Sequence, residues 1–263
     1  MRAEQPVVVG VDGSEQSVAA LAWAVGEAEL RGAAVRIVVI DDSAAGSIAD
    51  RFRSTNLATE VSAEIACGRP ATELIRCSER AQLLVLGARG RGMLLGSLST
   101  KVAMHARCPV VVVREHRSGS GPVLVGVDGT PHGQHVLQFA FEAAAARRAE
   151  LAVMQVWEAP GAEGSVVLAP PEELAEARGE AERSLRTQLA GWREQYPDVA
   201  VRRHTPRGHP VAALTERARE AQLLVVGHRN RKGLFAALLL GSVASGVLHR
   251  AHCPVAVICS DIR

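Results

Sequence analysis

No run of about 18 apolar residues occurs anywhere in this chain, so no membrane span and no membrane partner is expected. Its start passes from Arg2 through Glu4 straight into Val7, again without a long apolar segment. A surplus of one charge is equally absent. In 263 residues, 30 basic side chains face 28 acidic ones for a formal net charge of +2. That is too little to neutralise a polynucleotide backbone, and nucleic acid is excluded as an expected partner. Paired cysteines are missing too: Cys67, Cys77, Cys108, Cys253 and Cys259 are odd in number and form no C-x-x-C pair. They read as reduced, buried, small apolar residues of a cytoplasmic protein. Lysine is confined to Lys101 and Lys232, a matter of codon supply without functional weight. Neither G-x-x-x-x-G-K-[ST] nor a G-x-G-x-x-G after the first apolar run is present, which rules out the generic phosphate-binding motifs.

What the chain does contain is itself, twice. Gly-Val-Asp-Gly-Ser at Gly10 to Ser14 returns as Gly-Val-Asp-Gly-Thr at Gly126 to Thr130. Ala-Gln-Leu-Leu-Val-Leu-Gly ending at Gly87 returns as Ala-Gln-Leu-Leu-Val-Val-Gly ending at Gly227, and Cys108-Pro109 returns as Cys253-Pro254. The chain is an internal duplication, so a site built in one half has a version in the other. Each half is the size of an ordinary domain with its own core. The expected units are residues 1–115, a linker at 116–121 containing Ser-Gly-Ser-Gly, and residues 122–263. The repeat offset grows from 116 residues at the first motif to 140 at the second and 145 at the third, so the first unit is the shortened one.

Short apolar runs bounded by turns alternate with segments of helical period, the pattern of parallel strands buried between covering helices. Strands are expected at Val7 to Asp12, Val35 to Ile40, Val61 to Ala66, Leu83 to Gly87 and Val110 to Val113. They recur at Val123 to Asp128, Leu151 to Trp157, Val199 to His204, Leu223 to Gly227 and Val255 to Ile258. The first helix carries Ala20, Leu21, Ala24, Val25 and Ala28 on one apolar stripe, with Glu27, Glu29 and Arg31 off it. The second and third strands of the second half enclose a long helix, Pro171 through Trp192. The same interval in the first half, Asp41 to Glu60, is short and polar, and a stunted helix is expected there. The fold class is α/β: two tandem doubly wound domains, each a five-stranded parallel sheet of order 3-2-1-4-5 with helices on both faces. The valine-rich last strand of each half is a liability unless paired, so the halves are expected to dock through these strands as a pseudo-two-fold pair.

Ligands of open parallel sheets bind outside the carboxyl ends of the strands, where strand order reverses. Asp12 and Gly87 meet there in the first half, Asp128 and Gly227 in the second. For either aspartate alone, a turn and helix-cap role is the stronger reading, and its pairing with a glycine loop shifts the balance toward a ligand. After strand four the first half reads Gly87-Ala88-Arg89-Gly90, then Gly96-Ser97; the second reads Gly227-His228-Arg229-Asn230, then Gly241-Ser242. Glycines let backbone amides turn to an anion, and the amides and dipole of a helix opening at Gly-Ser favour phosphate. A plain helix cap at Ser97 and Ser242 beside a solvated basic loop fits the spacing equally well. His249, His252 and Cys253 are a weak metal candidate whose counterparts are Met104, Arg107 and Cys108. Neither Ser97 nor Ser242 has His and Asp partners repeated in both halves, so no nucleophilic triad is expected.

These motifs give the chain its resemblance: from about Pro6 to Cys259 it looks like a tandem universal stress protein. The residues that carry it are the two Gly-Val-Asp-Gly-Ser/Thr motifs, the Gly-Ser loops after strand four and the Cys-Pro-Val closes. In ATP-binding members the aspartate holds the ribose or adenine side, a valine late in strand two backs the base, and the glycine loop wraps the phosphates. The resemblance implies these roles for Asp12, Val39, Gly87, Gly90, Gly96 and Ser97 in the first half. In the second it implies them for Asp128, Val156, Gly227, Gly241, Ser242 and Val243. The family loop has the form Gly-x2-Gly-x9-Gly-Ser/Thr. Only five residues separate Gly90 from Gly96, and Asn230 replaces a glycine in the second loop, a milder change because asparagine tolerates left-handed backbone. The second half is therefore the expected nucleotide site. The implied function is a cytoplasmic stress-response module that binds an adenine nucleotide, ATP with or without Mg2+, without a committed reaction, and that pairs as a homodimer. An ATP-hydrolysing enzyme of the same fold and a degenerate, ligand-free interaction scaffold are the alternatives.

Overall fold

A computed structural model of the protein describes residues 5–39, 59–88, 97–114, 120–130, 133–158, 170–228 and 240–259. The first half supplies β1 (Val7–Val11), α1 (Glu15–Arg31), β2 (Val35–Val39), β3 (Val61–Ile65), α2 (Pro70–Ser78), β4 (Leu83–Gly87), α3 (Ser97–His105) and β5 (Val110–Val113). The second half begins with β6 (Val123–Gly126), α4 (Gln134–Arg147), β7 (Leu151–Met154), α5 (Pro171–Gln188) and α6 (Trp192–Gln195). It continues with β8 (Val201–His204), α7 (Pro210–Arg217), β9 (Leu223–His228), α8 (Ser242–Arg250) and β10 (Val255–Cys259).

All ten strands form one sheet of order β3-β2-β1-β4-β5-β10-β9-β6-β7-β8. Each half is thus the expected parallel 3-2-1-4-5 sheet, and the two meet through their fifth strands. There Val110, Val111 and Val112 lie antiparallel opposite Val257, Ala256 and Val255. Pairing removes the two apolar edges that a separate domain would expose. The outer edges are β3 and β8, and β8 presents Arg202 and Arg203, charges that discourage further strand addition.

The strands read as continuous apolar runs because helices cover both faces; every residue of β1 is buried. Val7, Val9 and Val11 pack with α1 on one face, in the core that also contains α4 and α5. Val8 and Leu84 pack on the other, in the core that contains α2, α3, α7 and α8. Over β7 and β8 the first core is closed by Leu185 and Leu189 and by the stack of Phe141 on Trp192 and Tyr196, with ring centroids 5.2 and 5.3 Å apart. The helix expected from Pro171 through Trp192 is broken: Gly191 takes the left-handed conformation at φ 84° and starts α6. The corresponding first-half interval, 40–58, where a stunted helix is expected, lies outside the described residues. Ile65 on β3 is 55% exposed.

The two halves also meet through α1 and α4, and here Glu27, although off the apolar stripe, is buried. Its carboxylate receives Arg31 Nε at 2.6 Å and Arg147 Nη2. Arg31 lies over Phe139 with its guanidinium carbon 5.2 Å from the ring centre, and Arg147 over Trp23 at 6.0 Å. Arg31 and Arg147 are repeat counterparts, as are Trp23 and Phe139, but the counterpart of Glu27 is Ala143. One carboxylate serves both guanidiniums. A helix in a tandem pair has two buried sides, and the second is polar, so hydrophobic periodicity does not mark it.

Candidate functional site

The sheet changes winding direction between β1 and β4, and again between β6 and β9, so a crevice opens at each of these strand ends. In the first half Asp12 follows β1 directly. Its Oδ1 accepts from Ser14 N–H at 3.0 Å and from Ser14 Oγ at 2.6 Å, across Gly13 at φ 77°. Ser14 then caps α1 by accepting from Ser17 N–H at 3.2 Å, and Ser17 Oγ donates to Ser14 O at 2.8 Å. Gly87 ends β4 against this same first turn: a Cβ there would stand 2.9 Å from the Gln16 carbonyl atoms. The absence of a side chain lets the end of β4 and the start of α1 close on each other, bringing the two repeated motifs together.

The second half repeats the turn. Asp128 Oδ1 accepts from Thr130 N–H at 3.0 Å and Thr130 Oγ1 at 2.7 Å, across Gly129 at φ 81°. The cap differs: α4 begins after Gly133, which offers no side-chain cap bond. At Gly227 a Cβ would meet Val136 Cγ2 at 3.0 Å, again at the first helix of the repeat. Gly241 precedes α8 with no described residue within 4 Å of its Cβ position, and its N–H donates to His228 Nδ1 at 3.4 Å. His228 ends β9 and is buried; its repeat counterpart is Ala88, and only that asymmetry in the sequence could have marked it.

Strand register separates the two candidate valines. Val35 lies opposite Val7, and Leu151 opposite Val123, so Val39 corresponds to Gln155 and Val156 to Ile40. Val39 is 1% exposed within the α1-side core, whereas Val156 packs toward the opposite face. Val39 is thus a core residue and not the counterpart of Val156. Ser97 and Ser242 open α3 and α8, and Val243 packs against the core beneath α8. Gly90 and Gly96 lie outside the described residues, as does Asn230. The crevices therefore gather Asp12 with Gly87, and Asp128 with Gly227.

Three polar side chains under the second crevice escaped sequence reasoning. Gln155, just past β7, donates through Nε2 to Ser184 Oγ at 3.4 Å. Gln188 Nε2 donates to Gln155 Oε1 at 3.2 Å. The spacing of Ser184 and Gln188 on α5 puts both on one face, a signal hidden because α5 is otherwise strongly charged. The weak metal candidate does not assemble: among the described residues no three His, Cys, Asp or Glu side chains cluster as a metal site. His249 Nδ1 instead meets Ser245 O at 2.7 Å, and burial pushes the Cys253 thiol up to about 12. Among the described residues no helix is long and apolar enough to cross a membrane.

The molecule is thus a doubled α/β protein with one switch-point crevice in each half. The chain belongs to the universal stress protein family, whose model matches residues 4–66, 43–114 and 120–258. A universal stress protein of Mycobacterium tuberculosis is 33% identical over 292 aligned positions, covering 97% of each chain. One of Mycolicibacterium smegmatis is 36% identical over 291 positions, also covering 97% of each. Both alignments exceed the 263 residues of this chain, so these relatives carry residues that it lacks. Among solved structures, a universal stress protein from Archaeoglobus fulgidus matches with TM-score 0.72 at 20% identity, over 97% of this chain and 98% of its own. A functionally unknown protein from Pseudomonas aeruginosa matches with TM-score 0.74 at 18% identity, over 99% and 95%. These two likenesses show the tandem fold.

Proposed function

We propose that the protein is a cytoplasmic stress-response module that binds an adenine nucleotide, ATP with or without Mg2+, in the second-half crevice, without a committed reaction. The observation that carries this reading is the pairing of a carboxylate turn, Asp128 to Thr130, with the glycine end of β9 at the switch point of a family fold. Asp128 would hold the ribose or base side and Val156 would back the base. Gly227, Gly241, Ser242 and Val243 would take the phosphates. The first amides of α8 have no acceptor within the helix, and its dipole favours an anion there. The reading extends to pairing with a second copy, with residues 1–115 and 122–263 as the two units.

One observation favours a second reading, the ligand-free scaffold. Both aspartates already serve their turns, and the Gly241 amide already donates to His228. Titration of ATP into the purified chain, with mass analysis for nucleotide carried through purification, separates the two. Saturable binding abolished by Asp128→Ala and by Gly241→Val is the expected result; no described residue stands within 4 Å of the Cβ position at Gly241, so a valine there meets a ligand before it meets the described fold. A folded protein that neither binds nor carries nucleotide is the scaffold. Magnesium-dependent turnover in the same samples would instead mark the hydrolase.

A further inference from the structure

Gln188 is 8% exposed, and its Oε1 is sealed from solvent without a hydrogen-bond partner among the described residues. A buried acceptor in that state is costly, so its position calls for an explanation. It lies 3.4 Å from where a Cβ of Gly133 would be. Beside it, Gln155 Nε2 and Ser184 Oγ lie 3.0 and 3.1 Å from the Cβ position of Gly129. The polar cluster therefore lies directly beside both Gly129, in the carboxylate turn, and Gly133, at the start of α4, where neither glycine has a side chain to keep it away.

The repeat shows what stands there in the other half. The 116-residue offset makes Ser17 the counterpart of Gly133 and Val39 the counterpart of Gln155. Ser17 ties its own turn from within: its Oγ donates to Ser14 O and accepts from Asp12 N–H at 3.4 Å. The second half has lost that hydroxyl, and a side chain from α5 occupies the space beside the vacated position.

We propose that Gln155, Ser184 and Gln188 are positioning residues of the second crevice, holding the Asp128 turn and the start of α4 by side chains hung from β7 and α5. The first half positions the same turn with a residue of its own first helix. The second delegates the task to α5, so the geometry of the crevice and the seating of α5 are one equilibrium. The effect on a ligand rests on the nucleotide reading above; the bracing of the turn does not.

The test uses the full chain with Gln188→Ala and with the double change Gln188→Ala plus Gly133→Ser. Gly133 has right-handed backbone, φ −68° and ψ −9°, and accepts a side chain without strain. Amide exchange is followed in ligand-free protein at Thr130 and Gly133, whose N–H groups donate to Asp128 Oδ1 and Thr130 O, with ATP titration alongside. In Gln188→Ala these two amides are expected to exchange at least about tenfold faster, the scale of one ordinary polar interaction, and ATP affinity is expected to fall. The double variant is expected to restore both by reinstating the first-half device, a rescue that mere loss of packing would not give. Unchanged exchange in Gln188→Ala, or acceleration spread evenly over β6 and α4 that the second change does not reverse, overturns the bracing. Faster exchange with unaltered ATP affinity overturns the positioning of ligand. If the unaltered protein binds no ATP, the nucleotide reading fails, and the exchange data alone decide for or against the bracing.

Discussion

Replacing Glu27 by alanine is expected to destabilise the protein by about 3–5 kcal/mol, the scale for removing one partner of a buried ion pair. The carboxylate is 1% exposed, and the two guanidiniums it joins are 12% and 8% exposed. Without it, Arg31 and Arg147 face each other across the contact between the halves with no counter-charge among the described residues. Each keeps its aromatic partner, Phe139 or Trp23, and Arg147 keeps Ala143 O at 3.1 Å. Cation–π contacts are worth roughly 0.5–2 kcal/mol each, so the loss belongs toward the lower end of the range. Urea unfolding measures it: with a slope of about 3 kcal/mol per molar, the midpoint falls by about 1 M or more. The loss should persist in about 1 M NaCl, because buried pairs are poorly screened. The exposed pair Arg178–Glu182, at 67% and 41% exposure, is the internal control; breaking it should cost under about 1 kcal/mol and vanish in salt. A Glu27→Ala loss below about 1 kcal/mol, or one that salt erases, would refute the argument that this contact is electrostatically closed. Replacing all three charges with leucine or methionine should restore stability, since apolar packing commonly equals a buried ion pair. The charges then specify which faces meet and do not raise the total.

Gly87→Ala should cost about 1–3 kcal/mol by overpacking, because the new Cβ meets main-chain atoms of Gln16 at 2.9 Å. Gly227→Ala should cost less, since its obstacle is the Val136 side chain at 3.0 Å; thermal melts that rank them the other way would overturn the close-approach argument. Cys67 is exposed and Cys259 half-buried, against the expectation that all five cysteines are buried, while burial raises the Cys253 thiol from 9.0 to about 12; alkylation at pH 8 should therefore label Cys67 and spare Cys253 until the chain unfolds, as read by mass spectrometry. A thiol that holds its proton more tightly in the fold adds stability that is intact below pH 9.0 and lost as pH rises toward about 12. Unfolding midpoints should therefore drop less over that window in Cys253→Ala than in the unaltered chain.

The sheet was legible because its signal is redundant. Ten short apolar runs, two copied motifs and two Cys-Pro closes all demand the same parallel order, and two valine-rich edges demand each other. The break in the long helix was not, because Leu185, Leu189 and Trp192 keep helical spacing through Gly191, and the left-handed turn interrupts the backbone without interrupting the pattern. The burial of Glu27 was not legible for a related reason. Periodicity reports the face a helix turns to the sheet, and the face that α1 turns to α4 is built from charge and aromatic rings.

The two crevices show how far a repeated motif can be trusted. Aspartate turn, positive-φ glycine and strand-ending glycine recur in both halves, and the structure puts them at equivalent strand ends. What surrounds them has diverged one residue at a time: Ser17 against Gly133, Val39 against Gln155, Ala88 against His228. In each pair one half has a small or apolar side chain where the other has either a polar group or none. A turn needs few residues to keep its shape, so the motif survives such exchanges. The polar lining of a crevice depends on those very exchanges, so copies of one motif need not bind alike. In the second half that lining arrives from α5, from His228 at the end of β9 and from Gln155 just past β7, positions that the repeated motifs do not include.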